Sequence, residues 1–244
     1  MAKMIIVKKL SKSYAGKQVL DGLTFSIEKG MVLGLLGANG AGKSTSIECI
    51  LGIKEKDSGE LQIFEKDPVK ERGDIFQRIG VQFQDSNYQR EIKVNELCEQ
   101  TECLYKDRAD WKELLKKFGI GDKEKSLVKD LSGGQRQRLF IVLALIPQPE
   151  IVFLDELTTG LDARARREVW YILKKLKQEG LTIILTSHFM DEVEALCDEI
   201  IILKNGKTAF QGTIEEVLGK SNCGKLEEAY LYYTGEGESD ENVW

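Results

Sequence analysis

Histidine is almost absent from this 244-residue chain, His188 being the single one. A metal site of several imidazoles within the chain is excluded, and any Ser-His-Asp or Cys-His catalytic unit has to be built around that residue. Long apolar runs are missing as well. The longest candidate, Leu139 to Ile146, stops at Pro147, whereas a membrane helix needs about 20 apolar residues, so the chain is not expected to cross a bilayer by itself. Its first residues turn polar soon after Met4-Ile5-Ile6-Val7 and offer no small-residue cleavage site, so no export signal is expected. Cysteine is sparse and scattered: Cys49, Cys98, Cys103, Cys197 and Cys223 contain no Cys-x-x-Cys pair, which favours reduced thiols in the cytosol over disulfides or zinc. Basic excess is lacking too. With 35 basic against 40 acidic side chains the formal net charge is −5, a poor basis for non-specific nucleic-acid binding, and none is expected.

What is present is an ordinary globular composition, 42% hydrophobic and 31% charged, arranged as apolar runs of strand length alternating with amphipathic stretches. That pattern predicts an α/β fold whose parallel strands are buried on both faces. Val32-Leu33-Gly34-Leu35-Leu36, Ile151-Val152-Phe153-Leu154 and Thr182-Ile183-Ile184-Leu185 are the clearest strands. Between the last two, Val169, Ile172, Leu173 and Leu176 repeat at helical spacing up to Gly180. Residues 4 to 8, 19 to 27 and 59 to 64 predict an antiparallel β element near the amino terminus. Asn205-Gly206, between Glu199 to Lys204 and Lys207 to Phe210, predicts a hairpin. From about 86 to 130 the pattern is helical and strongly charged, with Leu97, Leu104, Trp111, Leu114, Leu115 and Phe118 as apolar anchors of a helical subdomain. Residues 1–235 read as one domain and 236–244 as an acidic, solvated tail.

Gly37-Ala38-Asn39-Gly40-Ala41-Gly42-Lys43-Ser44 satisfies G-x-x-x-x-G-K-[ST], after an apolar strand and before a helix that carries Ile47, Ile50 and Leu51 on one face. Successive N–H groups of such a loop wrap a phosphate chain at the positive end of the helix. Lys43 is expected to reach the β- and γ-phosphates and the Ser44 hydroxyl to ligate Mg²⁺, with Thr45 among the nucleotide-binding residues. Asp155-Glu156 closes the strand Ile151 to Leu154, where parallel sheets bind ligands. Asp155 is expected to hold Mg²⁺ and Glu156 to polarise an attacking water. In Leu131-Ser132-Gly133-Gly134-Gln135, Ser132 and Gln135 read as a capping box. Two glycines in that first turn each cost about 1 kcal/mol relative to alanine, so something is expected to approach the backbone closely.

These segments, followed by Gly160-Leu161-Asp162 and Thr186-Ser187-His188, resemble from about Met4 to Thr234 the ATP-binding subunit of an ATP-binding-cassette (ABC) transporter. The resemblance implies a P-loop NTPase of ABC type: a mostly parallel core sheet, an N-terminal antiparallel β subdomain and a helical subdomain. It implies ATP and Mg²⁺ as cofactors, and it gives individual residues roles. Tyr14 matches the aromatic residue ahead of the first β element that stacks on adenine. Gln84 matches the glutamine that joins core to helical subdomain and touches Mg²⁺ and the water, with Gln82 as a nearby competitor. His188 matches the histidine bonded to the γ-phosphate, and Asp162 the aspartate that contacts the opposite subunit.

In that family two copies sandwich two ATP molecules head to tail, so Ser132 and Gly134 of one copy would cover the γ-phosphate bound to Gly40, Lys43 and Ser44 of the other. A second copy of the chain or a similar chain, and a separate transmembrane permease subunit, are the implied partners. The implied location is the cytoplasmic face of the cell membrane. The segment Leu226 to Gly235 resembles the tail of bacterial drug- and antibiotic-exporter subunits, which favours export. Leu157 departs from the proline that the family commonly has after its two acids; it removes no reacting group, and a competent ATPase is expected. The alternative is a soluble ABC ATPase acting on ribosomes or DNA, a class that usually carries two cassettes or long insertions.

Overall fold

The structure is a computed structural model that describes residues 3–83, 88–156 and 158–235. The chain forms two compact units, residues 1–72 with 186–244 and residues 73–185. The first unit opens with β1 (Lys3–Tyr14) and β2 (Lys17–Glu28), followed by β3 (Val32–Gly37), α1 (Lys43–Ile50) and β4 (Ser58–Ile63). β1 pairs antiparallel with both β2 and β4, the expected antiparallel element. Two of its strands, β1 and β2, are longer than the sequence predicts. The apolar alternation of Met4, Ile5 and Val7 breaks at Lys9, which has φ 50° and donates its N–H to Thr24 Oγ1 at 2.9 Å. Beyond this irregularity β1 continues as a polar strand to Tyr14.

The second unit comprises α2 (Arg72–Phe76), β5 (Ile79–Gln82), α3 (Val94–Glu102), α4 (Trp111–Lys117), α5 (Gly133–Leu145), β6 (Ile151–Asp155), α6 (Ala163–Gln178) and β7 (Thr182–Thr186). β5 and β6 are parallel, Ile79 opposite Ile151 and Gln82 opposite Leu154. β6 and β7 are buried along their whole lengths, which is why they read as unbroken apolar runs. Gly80 lies so close to the Ala144 carbonyl of α5 that no side chain fits between strand and helix. The charged helical stretch is held by buried Trp111, Leu115 and Phe118. Leu104 is not an anchor, being 70% exposed. α3 ends at Glu102, so Leu104 falls in the turn beyond it, and Val94 and Cys98 take the buried positions.

The chain returns to the first unit with α7 (Met190–Leu196), β8 (Glu199–Lys204), β9 (Lys207–Gly212), α8 (Ile214–Ser221) and α9 (Leu226–Thr234). β3 runs parallel to β8, and β8 antiparallel to β9 across Asn205 (φ 50°) and Gly206 (φ 78°), the two left-handed residues that a tight hairpin needs. Leu36, Val193, Ile200, Ile202, Val217 and Leu226 form a dry core that joins sheet and helices. Truncating one such leucine or isoleucine to alanine costs about 2–5 kcal/mol. Among the described residues no helix is long and apolar enough to cross a membrane. The expected tail, 236–244, lies outside the described residues.

Candidate functional site

In the first unit, β3 is buried throughout and delivers the chain into the loop 37–42. Two loop glycines are dictated by neighbours. At Gly37 (φ 152°) a Cβ would stand 2.7 Å from the Leu203 carbonyl oxygen, and at Gly42 (φ 110°) 2.9 Å from that of Val19. Gly40 differs: nothing lies within 4 Å of its Cβ position, and its φ of 80° is what selects glycine. The Ala41 N–H donates to Ala38 O at 3.0 Å, and the Ala41 carbonyl accepts from Gly206 N at 3.2 Å, so the β8–β9 turn backs the loop.

α1 then starts at Lys43 with no side-chain cap and no acid in its first turn, the condition in which a helix start accepts an anion. Lys43 is 6% exposed, and its ammonium donates to Gly37 O at 2.6 Å and Ala38 O at 3.2 Å. A cation buried across the loop's own carbonyls is a strong local field for phosphate. Ser44 is exposed and Thr45 half-buried at the same end.

Tyr14 closes β1 rather than preceding the first β element, because β1 runs on past its bulge. Its ring is 40% exposed and carries the Lys12 and Lys54 ammonium groups 5.2 and 5.5 Å from its centroid. Hydrogen bonds to Asp57 and Glu48 raise the pKa values of Lys12 and Lys54 respectively above the usual lysine value. The ring is thus an exposed aromatic face bordered by two fixed positive charges. His188 is exposed, between β7 and α7 in the turn where Ser187 Oγ accepts from Phe189 N at 3.0 Å.

In the second unit, Asp155 is the buried last residue of β6. Glu156 follows at φ 53°, a left-handed conformation that costs a non-glycine residue about 1–3 kcal/mol and recurs where function requires it. Its carbonyl accepts from Thr159 N at 3.2 Å, starting the turn that leads to Asp162. Asp162 caps α6, accepting from Ala165 N at 2.8 Å, and this bond holds its carboxyl below the usual range.

α5 starts with a complete capping box. Ser132 Oγ accepts from Gln135 N at 3.2 Å, and Gln135 Oε1 accepts from Ser132 N at 3.0 Å. At Gly133 the nearest atom to an added Cβ would be Gly160 O at 3.9 Å, whereas at Gly134 Leu161 Cδ2 would stand at 3.2 Å. Nothing in the unit itself therefore needs a glycine at 133.

The sequence-selected residues thus fall into two sets. Tyr14, Gly37, Asn39, Gly40, Ala41, Gly42, Lys43, Ser44, Thr45 and His188 belong to the first unit; Ser132, Gly134, Gln135, Asp155, Glu156 and Asp162 belong to the second. Gln84 lies outside the described residues. Gln82, its competitor, ends β5 and is buried, its amide N–H donating to Phe83 O at 3.0 Å.

Residues 20–159, from β2 through the phosphate loop to the turn after Glu156, match the ABC transporter family. The chain belongs to that family. As an ABC chain it is 36% identical over 222 residues to the daunorubicin/doxorubicin resistance ATP-binding protein DrrA of Streptomyces peucetius, covering 88% of itself and 66% of that protein. It is 37% identical to the Nod factor export ATP-binding protein I of Rhizobium etli, with 86% and 69% covered. With the linearmycin resistance ATP-binding protein LnrL of Bacillus subtilis it shares 35% identity, again with 86% and 69% covered. The chain spans about two thirds of the length of these curated relatives.

The ABC fold is equally plain in solved structures. An ATP-binding subunit of an ABC transporter superposes with a TM-score of 0.87 at 27% identity, with 95% of this chain and 99% of that one covered. The dimeric bacterial cassette MJ0796 gives 0.79 at 26% identity, with 86% and 99% covered.

Three features of this ABC chain escaped sequence reasoning: the two lysines at Tyr14, the left-handed Glu156 and the capping role of Asp162. Only the last had a local signal, an aspartate directly before a helical run.

Proposed function

We propose that this ABC chain is the ATP-hydrolysing motor of a membrane exporter, working as a head-to-tail pair of copies bound to a separate transmembrane subunit on the cytoplasmic face. The observation that carries the reading is the bare start of α5, where Gly133 is crowded by nothing in its own unit. A chain with one phosphate loop and one helix start stripped for close approach has two complementary halves, which two copies would complete twice over. The family membership supports ATP as the ligand, and relatives named for drug resistance and Nod factor export support export. No observation favours a ribosome- or DNA-directed ATPase. We take residues 1–235 as one ATP-binding domain with its helical subdomain at about 86–130.

The roles follow from the chemistry of each group. Tyr14 stacks on adenine, bordered by Lys12 and Lys54. Backbone N–H groups of Gly37 to Thr45 and the Lys43 ammonium hold the phosphates, and Lys43 exchanges its loop carbonyls for phosphate oxygens. The oxygen donors of Ser44, Asp155 and Gln84, with phosphate, suit Mg²⁺, a hard cation that keeps water and seldom needs an all-protein cage. When bound, the ion supplies charge neutralisation on the phosphates. Glu156 orients and polarises the attacking water, and His188 donates to the γ-phosphate. Ser132, Gly134, Gln135 and Asp162 act toward the second copy's nucleotide. The Ser132 hydroxyl accepts from Gln135 N and so retains its proton to donate.

The test is phosphate release by wild type and Glu156→Gln with Mg-ATP. A fall of about 10²–10⁴, with nucleotide binding retained, is expected of a lost general base. An unchanged rate defeats the catalytic assignment. Recovery of a membrane protein with the chain from its native cells tests the transport assignment separately; recovery of ribosomes or nucleic acid instead overturns it.

A further inference from the structure

A cleft of about 730 Å³ in the second unit lies between the end of α4 and the first turns of α6. It is made entirely of residues in that unit and contains none of the nucleotide-site residues assigned above. Its size is that of a small-molecule site. The half-buried Ile172 gives it an apolar floor above Phe118 and Val169, themselves almost fully buried, and the exposed Tyr171 ring stands at its side. Around this floor are five cationic side chains, Lys116, Lys117, Arg138, Arg164 and Arg167, against one carboxylate, Glu168. That carboxylate is already engaged by Arg138 and Arg164, each at 3.1 Å, and Lys116 pairs with Glu113 at 2.8 Å. For Lys117 and Arg167 no ion pair occurs among the described residues.

The charge on α6 is also placed against its own helix. Arg164 and Arg167 stand in the first five residues of a 16-residue helix, at the positive end that disfavours cations, although the Asp162 carboxylate already caps that end. An anion brought to the cleft offsets the charge of Lys117 and Arg167, while Ile172 and Tyr171 offer apolar surface that is still to be covered.

From the floor and the cationic rim we infer that this cleft binds an anionic amphipath, an apolar or aromatic body carrying a sulfonate, carboxylate or phosphate. The anionic group sits with Lys117 and Arg167, and the body lies on Ile172 and Tyr171. The cleft lies outside the nucleotide site, so its occupancy stands or falls apart from the ATPase reading.

The probe is 8-anilinonaphthalene-1-sulfonate, followed by its fluorescence on the full chain. One-site binding is expected that saturating Mg-ATP does not displace and that weakens as salt rises. The uncharged dye N-phenyl-1-naphthylamine should bind at least about tenfold more weakly. The double substitution Lys117→Glu with Arg167→Glu, at two exposed positions that leave the Glu168 pairs intact, should weaken sulfonate binding about tenfold or more with an unchanged circular dichroism spectrum. If that variant does not fold, the salt and neutral-dye comparisons on the unaltered chain still decide. Displacement by dodecanoate without sedimentation on vesicles gives a free anion as the source. Sedimentation on phosphatidylglycerol but not phosphatidylcholine vesicles, lost in the double variant, gives a lipid headgroup. Displacement by Mg-ATP, equal binding of the neutral dye, or undiminished binding to the folded double variant overturns the site.

Discussion

Replacing Gly133 by alanine should stabilise the chain and cripple its turnover. Gly133 is the first residue of α5, its φ is not in the positive region, and the nearest atom to an added Cβ is Gly160 O at 3.9 Å. A methyl group there meets no obstacle in its own unit, so the substitution acts through the unfolded chain. Gly→Ala at a compatible position stabilises by about 0.4–1 kcal/mol. For a chain of this size that raises the melting temperature by about 1–4 °C.

The same methyl would project where a second copy's γ-phosphate is proposed to approach the backbone. A displacement of about 1 Å there is enough to lower turnover about 10²-fold. Thermal melting followed by circular dichroism gives the first quantity, and phosphate release with saturating Mg-ATP over a range of protein concentrations gives the second. A variant that melts higher and hydrolyses ATP within about twofold of wild type refutes the reasoning, because the bareness of this helix start would then serve no ligand. Gly134→Ala is the contrast: its Cβ would press on Leu161 Cδ2 at 3.2 Å, so its gain in stability should be smaller or absent.

Tyr14→Ala should weaken nucleotide binding, measured by titration with a fluorescent ATP analogue, by about 1–3 kcal/mol, the worth of a base-stacking aromatic, or about 5–150-fold; unchanged affinity would remove the ring from the site. Asp162 titrates below the usual carboxylate range because the Ala165 N–H bonds its ionised form. Its contribution is therefore fully present at neutral pH and is lost as the pH falls from the unfolded carboxylate's value through the lowered folded one. Asp162→Asn, which keeps a cap but not the titration, should flatten the acid limb of a melting-temperature profile, and an identical limb would contradict the bond. Burial pushes the Cys98 thiol up to about 12, and Cys103 is exposed, so native protein near pH 8 should react with a thiol reagent at Cys103 well before Cys98. Mass spectrometry of the labelled peptides checks the order, and early labelling of Cys98 would contradict its burial.

How far the sequence could be read depended on whether the deciding interactions were local. The phosphate loop was legible because its G-x-x-x-x-G-K-[ST] spacing is contiguous and the constraint at Gly40 is its own backbone angle, whereas the neighbours that require glycine at 37 and 42, Leu203 and Val19, come from distant strands. The Ser132–Gln135 box and the Asn205-Gly206 hairpin are likewise complete within a few residues. The length of β1 was not legible, since past Lys9 its alternation is replaced by pairing with β2 and β4, and that pairing is a non-local fact. Leu104 misled for the opposite reason. Its composition suits an anchor, but the end of α3 two residues earlier turns it out. The ammonium groups at Tyr14 come from positions 12 and 54, which only the folded β1 and the turn after α1 bring to one ring.

Glycine therefore has to be sorted by cause before it is used as a sign of function. Gly37 and Gly42 are excluded from carrying a side chain by Leu203 and Val19 of their own unit, and Gly80 by Ala144 of its own; their presence would be required even if no nucleotide ever bound. Gly40 is required by its φ. Gly133 satisfies neither condition, having ordinary helical geometry and open space, and alanine there would favour the helix. The side chains beside it, Ser132 and Gln135, are engaged in capping each other's N–H groups. What this helix start offers outward is thus backbone N–H, one serine proton and the absence of a methyl group, a set with the chemistry to receive phosphate from outside its own unit. The proposed second copy rests on that one residue more than on the motif that contains it, and a single methyl group is sufficient to test the proposal.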